Sequence, residues 1–319
     1  MGELRFDGRT VIVTGAGNGL GRAHALELAR RGAQVVVNDL GTSTAGEGAS
    51  QGAADFVVDE ITAAGGHAVP SYATVGTDDG CRAIAATALD AFGRIDAVVH
   101  NAGILRNAMF DDMSDDRWFP VVETHLFGAF YLARAVWPTM RAQGYGRMVF
   151  TSSGSGAFGR PNGANYASAK AGILGLCNAL ALEGEEHGIL VNAVLPTGST
   201  RLGGAPEDRD TSAAAGAARA ERMEQMPRFH PDWTAPMVAY LASEACACTH
   251  RYYSTADGRY ARVFVGATAG WYPTGTEPPT AEDVAAHLER IEDRAEFDVP
   301  ISVYEEIELV HARFGGGPA

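Results

Sequence analysis

Thr10-Val11-Ile12-Val13-Thr14-Gly15-Ala16-Gly17-Asn18-Gly19-Leu20-Gly21 is the stretch on which the fold turns. Its first five residues are all β-branched, as suits a short strand buried on both faces of a parallel sheet. The glycines after it sit where the strand hands over to a helix. From Leu20 the apolar positions Leu20, Ala23, Leu26 and Ala29 recur at helical spacing until Gly32 closes the segment. In such a turn a Cβ would block close backbone approach, and the N–H groups at the helix start can bind a pyrophosphate without a net positive protein. Val35-Val36-Val37 is then a second strand ending at Asp39, eighteen residues past Gly21. That is near the spacing at which an acidic side chain meets an adenosine ribose; its charge would repel a 2′-phosphate, which favours NAD over NADP. Capping of the following loop is the other role open to Asp39.

The alternation continues outward. A helix is expected near 50–64, a strand at 67–72, a helix near 79–92, the strand Ala97-Val98-Val99-His100, and helix from Ser114 to Gln143. The strand Arg147–Phe150, a helix over about 163–187 and the strand Leu190–Val194 follow. Strands alternating with helices imply an α/β fold with a single doubly wound, Rossmann-like parallel sheet covered on both faces. We expect this Rossmann-like domain to span 1–249, and residues 250–319 to be a C-terminal extension packed on the same domain. Residues 202–232, with Gly203, Gly204 and the Ala-rich run 213–218, offer weak packing and read as a mobile lid.

Tyr166 and Lys170 are four apart in a helical segment, so their side chains share a face. A phenol is a poor base at neutrality, but a neighbouring ammonium favours the phenolate and makes the pair a usable proton shuttle. Ser153 follows the strand Met148-Val149-Phe150 at the carboxyl edge, where ligands bind in this architecture, and its hydroxyl can polarise a substrate oxygen.

The set Thr14-Gly-x-x-x-Gly-x-Gly21, Asn101-Ala102-Gly103, Ser153 and Tyr166-x-x-x-Lys170, taken in order, resembles the short-chain dehydrogenase/reductase family over about residues 6 to 245. The stretches 35–41, 93–99, 101–106 and 164–170 are similar to the NAD-using (3R)-hydroxyacyl-CoA dehydrogenase (17β-hydroxysteroid dehydrogenase) units of peroxisomal multifunctional enzymes type 2 and their bacterial relatives. The resemblance implies that Ser153 positions a carbonyl, Tyr166 protonates it, and Lys170 lowers the tyrosine pKa and holds the nicotinamide ribose. It also implies that Gly15, Asn18, Gly19, Leu20 and Gly21 line the pyrophosphate and ribose, that Asn101 and Gly103 lie on the adenosine side, and that Pro196 to Thr200 border the nicotinamide.

The chain departs from the family in three places. His125 replaces the usual Asn, at a position whose backbone carbonyl is expected to hold a water of the proton relay. The usual adenine-contacting Asp is here Ala73 or Thr74, and Pro196-Thr197-Gly198 carries an insertion.

A net charge of −14 with no Lys/Arg cluster argues against nucleic acid as a partner. Composition, 46% hydrophobic and 20% charged, is that of an ordinary globular protein. No run reaches the length of a membrane span, no leader pattern opens the chain, and its end is not a Ser-Lys-Leu address, so the cytoplasm is expected. Cys81, Cys177, Cys246 and Cys248 lack the companions of a zinc site and are expected to be reduced thiols, with no metal bound. The expected function is NAD-dependent interconversion of a secondary alcohol and a ketone on a lipid-like substrate, in a homodimer or homotetramer. A silent NAD(H)-binding redox sensor, or a dehydrogenase of terpenoids or polyols, are the alternatives.

Overall fold

The computed structural model describes residues 2–197, 221, 228, 230–273 and 277–315. The chain divides into two compact units, Met1–Arg262 and Val263–Ala319.

The first unit opens with β1 (Thr10–Thr14), α1 (Gly19–Arg30), β2 (Gln34–Asn38), α2 (Gly52–Ala63), β3 (His67–Ser71), α3 (Asp78–Phe92) and β4 (Ala97–His100). It continues with α4 (Asp115–Val122), α5 (Gly128–Gln143), β5 (Gly146–Thr151), α6 (Gly154–Phe158), α7 (Ala164–Gly184), β6 (Ile189–Thr197), α8 (Ala235–Ala242), β7 (Arg251–Ala256) and β8 (Arg259–Val263). The strand order is β3-β2-β1-β4-β5-β6-β7-β8, so the winding reverses between β1 and β4. A crevice at such a reversal is where this architecture binds nucleotides. Val11, Ile12 and Val13 pair in parallel with Val35 to Val37 on one side and Ala97 to Val99 on the other. All nine side chains are buried, as helices on both sheet faces require.

The helices end where local chemistry stops them. Thr77 caps α3 by accepting from the Gly80 N–H at 3.1 Å, and Gly93 closes it in the left-handed conformation. The expected helix from Ser114 to Gln143 is instead two helices joined by one π-type turn at Glu123–Phe127, which carries His125. Such wide turns inside helices recur at functional sites.

Three features were not foreseen. Ser153, at the carboxyl edge as expected from the strand before it, caps a short helix α6 that precedes the one expected from about 163. The strand β6 runs to Thr197, beyond Val194, because Pro196 and Thr197 pair with Thr255 and Ala256 of β7. The sheet therefore passes residue 249, where the sequence ended the domain, and the division between units falls at 262/263. The last strand, β8, is reached through Asp257 and Gly258, both at positive φ (48° and 75°). A two-residue link of that kind forms a tight hairpin, so β8 closes the parallel sheet with an antiparallel edge.

The second unit has a two-stranded antiparallel ribbon of β9 (Ala267–Thr268) and β10 (Phe297–Asp298), with α9 (Ala281–Ala286), α10 (Leu288–Ile291) and α11 (Val303–Gly315). A capping box between Thr280 and Asp283 starts α9. Phe264 stacks on Phe297 and Trp271 on His287. Apart from 221, 228 and 230–232, the expected lid lies outside the described residues, as does Thr200. Among the described residues no helix is long and apolar enough to cross a membrane, and no group of three His, Cys, Asp or Glu could hold a metal ion.

Candidate active site

The ends of β1 and β4 are tied together at the reversal point. The Asn101 amide donates to the carbonyls of Thr14 and Gly15 at 3.2 and 3.3 Å, and the Thr14 hydroxyl accepts from the N–H groups of Asn101 and Ala102. Gly15 (φ 63°) is needed there, because a Cβ would stand 2.7 Å from the Ala102 Cα. Asn18 precedes α1 in an extended conformation and makes no side-chain cap, leaving the first-turn N–H groups of the helix for another acceptor. Asp39 accepts from the Gly17 N–H at 2.8 Å through one oxygen and from the Gly41 N–H at 2.7 Å through the other. Each oxygen keeps a lone pair, so loop capping and reception of a ribose hydroxyl are compatible roles. An uncapped helix start, a cradle that a Cβ would fill and a carboxylate at the end of β2 fit a dinucleotide.

The second half of the site lies at the carboxyl end of β5. Ser153 caps α6, its hydroxyl accepting from the Ser155 N–H at 3.1 Å, and it stands close enough to Tyr166 to pull the phenol pKa down. Tyr166 and Lys170 share a face of α7, with the Lys170 Nζ 5.6 Å from the centre of the phenol ring. Lys170 is 2% exposed and donates to the Thr151 carbonyl at 2.5 Å. Burial pushes its ammonium down to about 7. Burial also holds the Tyr166 phenol above its ordinary value, against the opposing pull of Ser153 and the Arg160 charge. The downward pull on the tyrosine thus comes from Ser153 and Arg160 and not, as expected, from Lys170, and loss of solvation outweighs it. At neutral pH Tyr166 is protonated and ready to act as an acid.

His125 reaches the site by its ring. The ring lies edge-on to Tyr166 at 5.1 Å. Its carbonyl accepts from the His100 Nε2 at 3.2 Å and from the Gly128 N–H. The Gly128 N–H is shared with the Glu123 carbonyl. The same network settles the His100 tautomer. With two N–H groups donating to the Thr14 oxygen, the hydroxyl proton goes to His100 Nδ1, 3.3 Å away, and the imidazole carries its own hydrogen on Nε2. Burial keeps His100 neutral, its pKa pushed down to about 3. Gly103 also packs on His125: a Cβ there would stand 2.1 Å from the His125 Cε1.

Sequence reasoning missed His100, Arg160 and Asn165. Arg160 sits 5.9 Å from the centre of the Tyr166 ring and donates to the Asn107 amide oxygen. Asn165 donates to the carbonyls of Arg106 and Arg117 and accepts from the Tyr166 N–H, pinning the start of α7. Asn165 adjoins Tyr166 in sequence and could have been found from that; a histidine at a strand end gives no such sign. Pro196 lies in β6 opposite Thr255.

A family model described as short chain dehydrogenase matches residues 9–203. A short-chain type dehydrogenase/reductase of Mycobacterium tuberculosis is 43% identical over 285 residues, covering 89% of this chain and 94% of the relative. A hydroxyacyl-CoA dehydrogenase of the same organism is 39% identical over 253 residues, covering 76% and 75%. The solved structure of full-length peroxisomal multifunctional enzyme type 2 from Drosophila melanogaster superposes with a TM-score of 0.77 at 33% identity, over 98% of this chain and 50% of that one. The chain thus spans half the length of the multifunctional enzyme. With the matched model covering most of the sheet and the paired Tyr166 and Lys170, the chain belongs to the short-chain dehydrogenase family.

Proposed function

We propose that this oxidoreductase uses NAD to interconvert a secondary alcohol and a ketone on a lipid-like substrate, in the first place a (3R)-hydroxyacyl-CoA and after it a 17β-hydroxysteroid. The observation that carries the reading is the convergence of Ser153, Tyr166 and Lys170 at the carboxyl edge, beside a turn suited to a dinucleotide. The hydroxyacyl-CoA dehydrogenase among the relatives supports the choice of substrate. Asp39 supports NAD, since its carboxylate occupies the place where a 2′-phosphate would bring further negative charge.

When bound, the nicotinamide supplies or takes up a hydride at the substrate carbon. The Ser153 hydroxyl donates to the substrate oxygen and orients it. Tyr166 gives that oxygen a proton during ketone reduction and takes it back during alcohol oxidation. Lys170 favours proton loss from Tyr166 whenever it is itself charged, which its value of about 7 allows in part at neutral pH.

The test is cofactor reduction with NAD and NADP against (3R)- and (3S)-hydroxyacyl-CoA thioesters, a 17β-hydroxysteroid, a terpenoid alcohol and a polyol. NADH formation greatest with the (3R)-thioester is expected. A preference for NADP, or turnover of the polyol or terpenoid alone, would overturn the assignment.

A further inference from the structure

Cys246 and Cys248, which the sequence leaves as two reduced thiols, have their sulfurs 3.6 Å apart in the link between α8 and β7. Their carbonyls are both held, that of Cys246 by Arg147 Nη2 at 3.4 Å and that of Cys248 by Asn192 Nδ2 at 2.7 Å. The turn therefore presents the two thiols to each other by construction. Cys246 is buried, whereas Cys248 is partly exposed and its sulfur accepts from the Tyr253 hydroxyl at 3.6 Å. The hydrogen bond from Cys246, assisted by Tyr253 and the charge of Arg251, pulls the Cys248 thiol down; the same bond and burial raise that of Cys246. Thiolate is the nucleophilic form, so the accessible sulfur is the activated one.

We propose that Cys246 and Cys248 form a peroxide-oxidisable dithiol, with Cys248 as the attacking sulfur and Cys246 as the resolving one. The Cys248 thiolate attacks one oxygen of hydrogen peroxide, the O–O bond breaks, hydroxide leaves and a sulfenic acid remains. The Cys246 thiol then attacks that sulfur, an S–S bond forms, and the hydroxyl departs as water with the Cys246 proton. In sum two thiols are oxidised to a disulfide and one peroxide is reduced to two waters. The sulfurs close from 3.6 Å to the bonded distance of about 2.05 Å by side-chain movement within the turn. The pair sits near the amino ends of β5 and β6, beside Arg147 and Asn192, whereas Ser153 follows the carboxyl end of β5. Oxidation accordingly leaves turnover unchanged. Cys81 and Cys177 are internal controls, since both are buried and burial raises both thiols, Cys81 to about 12.

The experiment exposes the full chain to a small excess of hydrogen peroxide, blocks free thiols and maps peptides by mass. The peptide holding both cysteines should lose two hydrogens, resist alkylation until reduced, and account for all the oxidation, with Cys81 and Cys177 intact. Cys246→Ser should stop at a sulfenic acid on Cys248 that dimedone traps, and Cys248→Ser should give no dimedone adduct at Cys246. Free Cys246 and Cys248 after the other thiols have reacted, a disulfide linking two chains instead of one peptide, or equal trapping in the two variants would overturn the proposal.

Discussion

Asp96 at the amino edge of the sheet and Lys170 at its carboxyl edge are both buried charged side chains, and the two are treated in opposite ways. At the amino edge Asp96, 1% exposed, accepts from Arg9, from both arms of Arg94 and from the Thr10 N–H, at 2.6 to 2.9 Å. Burial pushes its carboxyl up, but those bonds outweigh it and hold the group below the ordinary value. At the carboxyl edge Lys170 is equally buried, yet its partner is the Thr151 carbonyl, and no carboxylate of the described residues pairs with it. One charge is compensated by its own protein and the other is left with its solvation debt. Uncompensated buried charge is a mark of a functional site, and here it coincides with Ser153 and Tyr166.

Lys170→Met breaks this contrast most strongly. Turnover should fall by at least about a hundredfold, the scale of losing a positioned proton-transfer partner. Stability should hold or rise, because an apolar chain replaces an unpaired buried charge. In the wild type the folded value of about 7 lies below the unfolded value near 10, so the unfolded chain binds more protons between them and stability rises with pH across that window. Thermal melts from pH 7 to 10 should show this slope in the wild type and its loss in the variant.

Asp96→Asn should do the reverse. Denaturant titration should show a loss of about 3 kcal/mol, the lower end for breaking a buried pair, because Arg9 and Arg94 keep part of their surface in water. Turnover per folded molecule should be unchanged. Since the Asp96 pKa is depressed, its contribution is present above the ordinary carboxylate range and is lost as pH falls through the folded value.

Gly103→Ala sharpens the carboxyl-edge account. The added Cβ would displace the His125 ring, costing about 1–3 kcal/mol by overpacking and lowering turnover through Tyr166. An unchanged rate and melting point would remove His125 from the site. The smallest effect is expected from Asp39→Ala, which should weaken NAD and narrow its advantage over NADP in paired kinetics. A wild type that already preferred NADP would contradict the role of Asp39.

What sequence could show of these two edges follows from how local the signals are. The glycine turn, Asp39, Ser153, Tyr166 and Lys170 announce themselves because each lies at a strand end or at helical spacing. The His100 to His125 bond joins residues 25 apart through a single π-type turn, and no periodicity marks it. The β7 strand was hidden because Tyr252, Ser254 and Thr255 are buried without forming an apolar run. Asp96 reads as a turn residue until Arg9 and Arg94 are seen to meet on it.

The central claim is that Tyr166 moves the proton at the carboxyl edge. Its most direct test is the turnover of Tyr166→Phe relative to wild type, on whichever alcohol the panel identifies, with NADH affinity measured in parallel by titration. The account predicts a rate at least about a hundredfold lower with affinity and fold preserved. A Phe variant that turns over as fast as the wild type would contradict it.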